Sequence, residues 1–418
     1  MKKTQLFLTL SISLIISFTS CKKDNVPSVT TVSATIANPS QSTASITAVG
    51  QLMSDGGAPT SRYGFCLSKN PNPTINDAST STTILGSNGT FTLIFGALDY
   101  SVIYHVRAYA VNSEGIGYGN DITIETIPTA ITLTKEATKV TLSSAQLNAV
   151  VNPKGKATKV WFEYSGDEPT ILSRTIQAGT FSDNSEVNIS AQVSDLVSAK
   201  VYNFTVKSQN ISGEAVGTTM SFETYAVSDI DGNLYHSVKI GDQVWLKENL
   251  NVTHYNDGTK IPNVTDSSAW INLETGAYCD FNNDPEISKV YGRLYNAYSV
   301  YTGKLAPAGW HVANDDDWIS MFDFINRDGG ALKEAGIKHW QSPNTGATNT
   351  TGFTAIANGE RSSQNGRFVD FNIWSASWSA TPYSYGSMIV FLSHNDAVIH
   401  SQYAYSVKVG AGVRLIKD

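Results

Sequence analysis

The sequence predicts a multidomain chain: two all-β sandwiches followed by an α+β domain. Three observations carry that expectation. A set of residues recurs at a fixed spacing through the first half of the chain. Each copy alternates apolar and polar positions with the period of a strand. From about residue 228 the alternation gives way to mixed segments, and seven of the eight tryptophans fall there.

At 418 residues the chain is too long for one hydrophobic core, and roughly two to four domains are expected. Hydrophobic residues make up 41% and charged residues 16%. Ser, Thr, Asn and Gly fill the difference, as on the exposed strand faces of extracellular β proteins. The net charge of −7 is spread out, and Lys and Arg do not cluster beyond the extreme N-terminus. Nucleic acid is therefore not an expected partner.

The first residues read as a targeting segment. Lys2 and Lys3 precede an apolar run from Leu6 to Phe18, too short to span a bilayer comfortably. Phe18-Thr-Ser-Cys21 then resembles a bacterial lipobox, which implies cleavage after residue 20, acylation of Cys21 and a membrane partner held through lipid. Each buried CH₂ of such a chain contributes about 0.8 kcal/mol. The Lys22-Lys-Asp-Asn25 stretch resembles the charged segment of Bacteroidetes surface lipoproteins, pointing to the outer membrane and the cell surface. With Cys21 used for lipid, only Cys66 and Cys279 remain, far apart in sequence, so no disulfide framework is expected.

The repeat comes next. Leu98 and Leu196, Tyr104 and Tyr202, Asn112 and Asn210, and Gly115 and Gly213 all share one offset. The same offset aligns Tyr63-Gly-Phe-Cys66 with Trp161-Phe-Glu-Tyr164. In the first copy Tyr104, Val106, Ala108 and Ala110 share a face; in the second Tyr202, Phe204, Val206 and Ser208 do. Turn signals such as Asp55-Gly-Gly, Asn88-Gly and Asn152-Pro-Lys-Gly punctuate the runs. Many short strands in about a hundred residues mean a sandwich. The pattern Leu-x5-Tyr followed by Asn-x-x-Gly resembles fibronectin type III domains, which implies that Tyr104 and Tyr202 are core residues. The expected division is a signal peptide at 1–20, a linker at 21–29, sandwiches at 30–127 and 129–225, and the last domain at 228–418. Short linkers, Ile127-Pro-Thr129 and Tyr225 to Asp229, make the sandwiches a stalk.

In the last domain, turns at Asp231-Gly232 and Gly241-Asp242 flank an expected strand from Leu234 to Ile240. Asp315 to Phe324 reads as a helix with Asn314 as N-cap and Asp317 at its third position. Its Trp318, Met321, Phe322 and Ile325 form one buried face. A second, short helix is expected around Gly330 to Gly336.

Three motifs agree in order: Ile240-Gly-Asp-Gln-Val-Trp-Leu, Ala308-Gly-Trp-His-Val-Ala-Asn-Asp-Asp-Asp-Trp318 and Gly412-Val-Arg-Leu-Ile. The block from Asp229 to Asp418 resembles the Fibrobacter succinogenes major paralogous domain. That resemblance implies a fold akin to C-type lectins and formylglycine-generating enzymes. Members often carry Cys-Pro-x-Gly-Trp-His and a closing Val-Arg-Cys, whereas Ala306 and Leu415 stand here. The joint replacement implies that the two positions touch.

No catalytic constellation accompanies these motifs, so no enzyme is expected. Cys279 sits in apolar Ala277-Tyr-Cys-Asp-Phe281, the context of a buried thiol. Calcium is the rival for the carboxylates, with Asp229-Ile-Asp-Gly-Asn233, Asp315-Asp-Asp317 and Asn282-Asn-Asp284 as ligand sets. The first lacks the Gly and Glu positions of a calcium loop, the second suits a helix N-terminus, and the third suits a turn. No cofactor is therefore required, and calcium stays open. What remains is recognition by aromatic side chains. Trp374-Ser-Ala-Ser-Trp378, Tyr383 and Tyr385 are the candidate ligand-binding residues, because flat aromatic faces with polar tips suit sugars. Spaced by four, Trp374 and Trp378 fit the core better, and Tyr383 and Tyr385 fit an exposed loop. The expected function is binding of an extracellular glycan or other ligand at the end of the stalk. The alternatives are a surface-assembly protein with a protein partner, and an unrecognised polysaccharide-acting enzyme.

Overall fold

The computed structural model describes residues 23–36, 43–166, 172–384 and 386–418. The signal segment, Cys21 and Tyr385 lie outside the described residues. Among the described residues no helix is long and apolar enough to cross a membrane.

Both repeats fold as β-sandwiches. In the first, a sheet ordered Ser28–Ile36, Ala44–Ser54, Thr90–Leu98 faces one ordered Ala78–Thr82, Arg62–Ser68, Ile103–Asn112, Gly115–Glu125. In the second, Val187–Val193, Ala145–Asn152, Ile131–Thr138 faces Arg174–Phe181, Thr158–Gly166, Val201–Asn210, Gly213–Val216, with Met220–Glu223 also on Val201–Asn210. The two predicted inward faces are buried as expected, from Tyr104 to Ala110 and from Tyr202 to Ser208.

The repeated residues recur because they solve the same problem twice. Asn112 Oδ1 accepts the amides of Glu114 and Gly115, and its Nδ2 donates to the carbonyls of Asn25 and Asp55. Asn210 likewise caps Ser212 and donates to the Pro128 carbonyl. One side chain thus closes a hairpin and pins the strand that enters the domain. Gly115 and Gly213 share φ 138°, a left-handed conformation that disfavours a side chain. Thr126 and Thr224, also one repeat apart, each donate from Oγ1 to two carbonyls: Asp99 and Val102 in one copy, Val197 and Lys200 in the other. Tyr202 adds the corner bond, its hydroxyl accepting the Val197 amide at 2.8 Å.

One part of the repeat alignment is off by a residue. Tyr63 pairs with Ala110 and Phe65 with Ala108, whereas Val160 pairs with Ser208 and Phe162 with Val206. Phe65 therefore corresponds to Phe162, and Trp161 points out beside Glu163, to which its Nε1 donates. A one-residue slip exchanges the faces of a strand, so Tyr63 and Trp161 are not equivalent.

The last domain is built from short elements around three buried clusters. Its central sheet runs Ser237–Ile240, Gln243–Leu246, Leu415–Lys417, Trp310–Val312, so the three sequence motifs converge on one strand near the C-terminus. A second sheet is formed by Trp374–Tyr383, Gly386–Ser393 and Ile399–Tyr405. The helix Asp315–Phe324 has the predicted bounds, with Asn314 and Asp317 in a reciprocal capping box. Trp318, Met321 and Phe322 are buried and Ile325 packs against the same cluster.

Two local expectations need correction. The strand predicted from Leu234 to Ile240 is split at His236, whose amide donates to Glu248 rather than to a strand. The helix predicted around Gly330 to Gly336 is only a 3₁₀ turn at Gly329–Ala331. Beyond it the backbone pairs with Ala355, through Ala355 N to Leu332 O and Glu334 N to Ala355 O.

Ala306 and Leu415 are both buried in one cluster with Val312, Val413 and Trp378. The paired substitution Ala306→Cys, Leu415→Cys is expected to form a crosslink under oxidation. A thiol assay that still counts both new cysteines as free would show that the positions are not in contact.

Candidate functional site

A pocket of about 190 Å³ opens where the hairpin Glu360–Arg361 and Phe368–Val369 meets the sheet that begins at Trp374. Glu360, Asp370, Trp374, Phe391, Gln402 and Tyr405 line it. Each wall has a local cause. Asp370 and Asn372 take left-handed φ of 63° and 61°, and the Asp370 carbonyl accepts the amides of Ile373 and Trp374, so the chain turns sharply into the strand. Gly359 N then donates to the Trp374 carbonyl, which ties Glu360 next to that tryptophan. Phe391 meets Trp374 edge-on at 6.0 Å and Tyr405 at 5.5 Å, and His400 packs edge-on against Trp374 at 5.3 Å.

The electrostatics of the pocket are unusual. Burial, and secondarily the nearby Asp370, push the Glu360 carboxyl up to about 7, against a hydrogen bond from Tyr405. Burial and the two carboxylates together push the Tyr405 hydroxyl up to about 12. Glu360 Oε2 is buried and has no hydrogen-bond partner. A buried oxygen left without a donor costs about 1–3 kcal/mol, so the pocket favours any ligand that brings one.

The residues singled out in the sequence separate under this geometry. Trp374 is half-buried and walls the pocket. Trp378 is wholly buried with Nε1 on the Tyr295 carbonyl at 2.7 Å, which corrects its candidacy: no ligand can reach that ring. Tyr383 is 42% exposed, but it lies outside the pocket, edge-on to Tyr403, with its hydroxyl bonded to Asp315. Tyr385 lies outside the described residues. Glu360, Asp370, Gln402 and Tyr405 carried no local signal, because they come together only through pairing of the sheet.

The acids considered for calcium are engaged elsewhere. Asp229 accepts from the amides of Asp231 and Asn233, from Asn233 Nδ2 and from the Tyr235 hydroxyl. Asp315 accepts from Ser379 and Tyr383, Asp317 closes the capping box, and Asp284 caps the helix Pro285–Tyr291. Among the described residues no group of three or more His, Cys, Asp or Glu could hold a metal ion. Cys279 is buried, and burial pushes its thiol up to about 12, so it is protonated at neutral pH.

Residues 238–417, the part of the chain that builds this pocket, match the family described as the Fibrobacter succinogenes major domain. Among solved structures, the chain is similar to the FN1–FN3 domains of chicken CNTN1, at 18% identity over 48% of this chain and 65% of that one, TM-score 0.30. A two-domain fibronectin type III segment of chicken tenascin is similar at 15% identity, over 48% of this chain and all of that one, TM-score 0.23. The sensor domain of the anti-sigma factor RsgI4 from Pseudobacteroides cellulosolvens is similar at 20% identity over 24% of this chain and 99% of its own length, TM-score 0.20. No curated protein matches the chain.

The raised Glu360 carboxyl makes a signed prediction. Its folded-state value lies above its unfolded value, so the stability it contributes is present below about pH 4.5 and lost as pH rises through about 7. Glu360→Gln removes that loss. Its melting temperature relative to wild type is expected to rise between pH 4 and pH 8, by the equivalent of roughly 3 kcal/mol at full ionisation. A constant difference across that range would show that Glu360 is not held protonated.

Proposed function

We propose that this chain is a non-catalytic, lipid-anchored protein of the bacterial outer surface. Its terminal domain, of C-type-lectin-like fold, recognises an extracellular saccharide, and two fibronectin type III-like domains hold that domain away from the membrane. The observation that carries the reading is the pocket. Its Trp374 and Tyr405 rings stand beside the carboxyl groups of Glu360 and Asp370 and the Gln402 amide, so apolar and hydrogen-bonding faces converge in one small concavity. Saccharides present that same combination: C–H faces that pack on aromatic rings and hydroxyls that both donate and accept. Short junctions support the stalk, with Lys247 of the terminal domain on Glu223 of the second sandwich at 2.7 Å and His236 against Tyr225 at 4.1 Å.

Trp374→Ala in the purified protein is expected to weaken saccharide binding at least tenfold, about 1.4 kcal/mol, in a glycan-array and calorimetric comparison with wild type. Wild-type binding left intact in this variant would remove the pocket from the reading. Replacing Cys21 by Ala is expected to release the protein from the membrane fraction; a variant that still sediments with membranes would sink the anchor.

A second reading has an observation of its own. A carboxyl whose proton affinity burial has raised, beside a second carboxyl, is the pairing that glycoside hydrolysis uses. Release of reducing ends from a polysaccharide, lost in Glu360→Gln, would make the domain an enzyme.

A further inference from the structure

The pocket holds two acids and no base. The side chains facing Glu360 are Asp370 from the turn, Trp374 and Phe391 from two adjacent strands, and Gln402 and Tyr405 from a third. Basic groups on the neighbouring elements are committed elsewhere. Arg361, next in sequence, is wholly buried, donating to the carbonyls of Gly366, Val264 and Thr265 and lying over the Trp270 and Phe368 rings. His400, on the same face of the sheet as Phe391 and Gln402, packs edge-on against Trp374 and shares its Nε2 with Asp396. Lys333 donates to the carbonyls of Thr345, Ser393 and Asp396. The charge that would balance Glu360 and Asp370 is thus absent from the walls.

Size narrows the occupant further. At about 190 Å³ the pocket is smaller than the roughly 300–1,000 Å³ of sites that enclose a whole ligand, so it takes one group of a larger molecule. Aromatic rings at the same place attract a cation through their negative faces, by roughly 0.5–2 kcal/mol depending on desolvation. An ammonium group also carries three donors and no acceptor, which suits a pocket whose unmet need is a donor for Glu360 Oε2. A neutral hydroxyl could satisfy that oxygen, but it would leave two neighbouring acids without a counter-charge.

We propose that the Glu360–Asp370 pocket receives the free ammonium group of an amino sugar, with the sugar ring resting on Trp374. The proposal rests on the saccharide reading above and specifies its chemistry: a glycan whose amino group is unacylated. Acylation of that nitrogen removes both its charge and two of its donors, so the N-acetylated sugar is the natural discriminator. Protonation of Glu360 removes negative charge from the site, so recognition weakens in acid, where the amine itself is fully charged.

The test is calorimetric titration of the purified protein with a glucosamine tetramer and with its fully N-acetylated counterpart, at pH 7 and pH 5. The free-amine tetramer is expected to bind about tenfold more tightly at pH 7 and to lose most of that advantage at pH 5. The acetylated tetramer should bind weakly and without change between the two pH values. Glu360→Gln and Asp370→Asn should each reduce the preference, with unchanged far-ultraviolet circular dichroism as the control for folding. The comparison of the two tetramers on wild-type protein stands even if a variant misfolds. Equal affinity for the two tetramers, or tighter binding of the acetylated one, overturns the ammonium assignment while leaving saccharide recognition intact. Binding of neither, together with a silent glycan array, overturns both.

Discussion

The terminal domain depends on buried cations that collect the carbonyl groups of its loops. Its strands and helices are short, and irregular backbone in an interior leaves acceptors that no ladder or helix satisfies. Arg414 answers this in the core: it is wholly buried over the Phe353 ring, and its guanidinium donates to Leu246, Lys247, Phe353 and Thr354 carbonyls and to Asn249 Oδ1. Arg361 and Lys333 do the same for three carbonyls each. Each orphaned carbonyl would cost about 1–3 kcal/mol, so these three side chains hold together what regular pairing does not.

The pocket inherits its geometry from two of them. Arg361 fixes the hairpin on which Glu360 sits, and Lys333 holds the Ser393 carbonyl at the end of the strand that carries Phe391. The carboxyl is therefore presented at a rigid edge, next to a residue whose positive charge is turned fully away from it. The acid character of the site and the stability of the domain have a common origin in where these cations point. The sandwiches rely instead on regular ladders, with polar side chains at hairpins and corners, where Asn112, Asn210, Thr126 and Thr224 stand, and between the sheets, where Thr31 Oγ1 accepts the Ala108 amide.

What was legible in the sequence was what is local or periodic. The helix from Asp315 to Phe324 could be bounded because its capping box and apolar spacing lie within a dozen residues. The sandwiches could be found because Asn-x-x-Gly turns and alternating faces repeat. Long-range register was not legible: the offset that aligned Tyr63 with Trp161 ignores a one-residue difference that only strand pairing reveals. The same limit hid the pocket. Trp374 and Trp378 look alike in sequence, yet one borders solvent and the other fills the core, because the chain bends at Asp370 just before the first. Glu360 and Tyr405 become neighbours through sheet pairings that no short motif encodes.

The strand Leu415–Lys417 lies inside its sheet, flanked by Gln243–Leu246 and Trp310–Val312. Arg414 immediately precedes it, so the residues that seal the terminal domain come after every other element of that domain in the chain. The two sandwiches contain all their own strands and can close as they emerge. The terminal domain must wait, with its tryptophan-rich interior open, until the strand Leu415–Lys417 is available to pair. A chain interrupted before Leu415 therefore carries two closed sandwiches and a terminal domain whose central sheet cannot form.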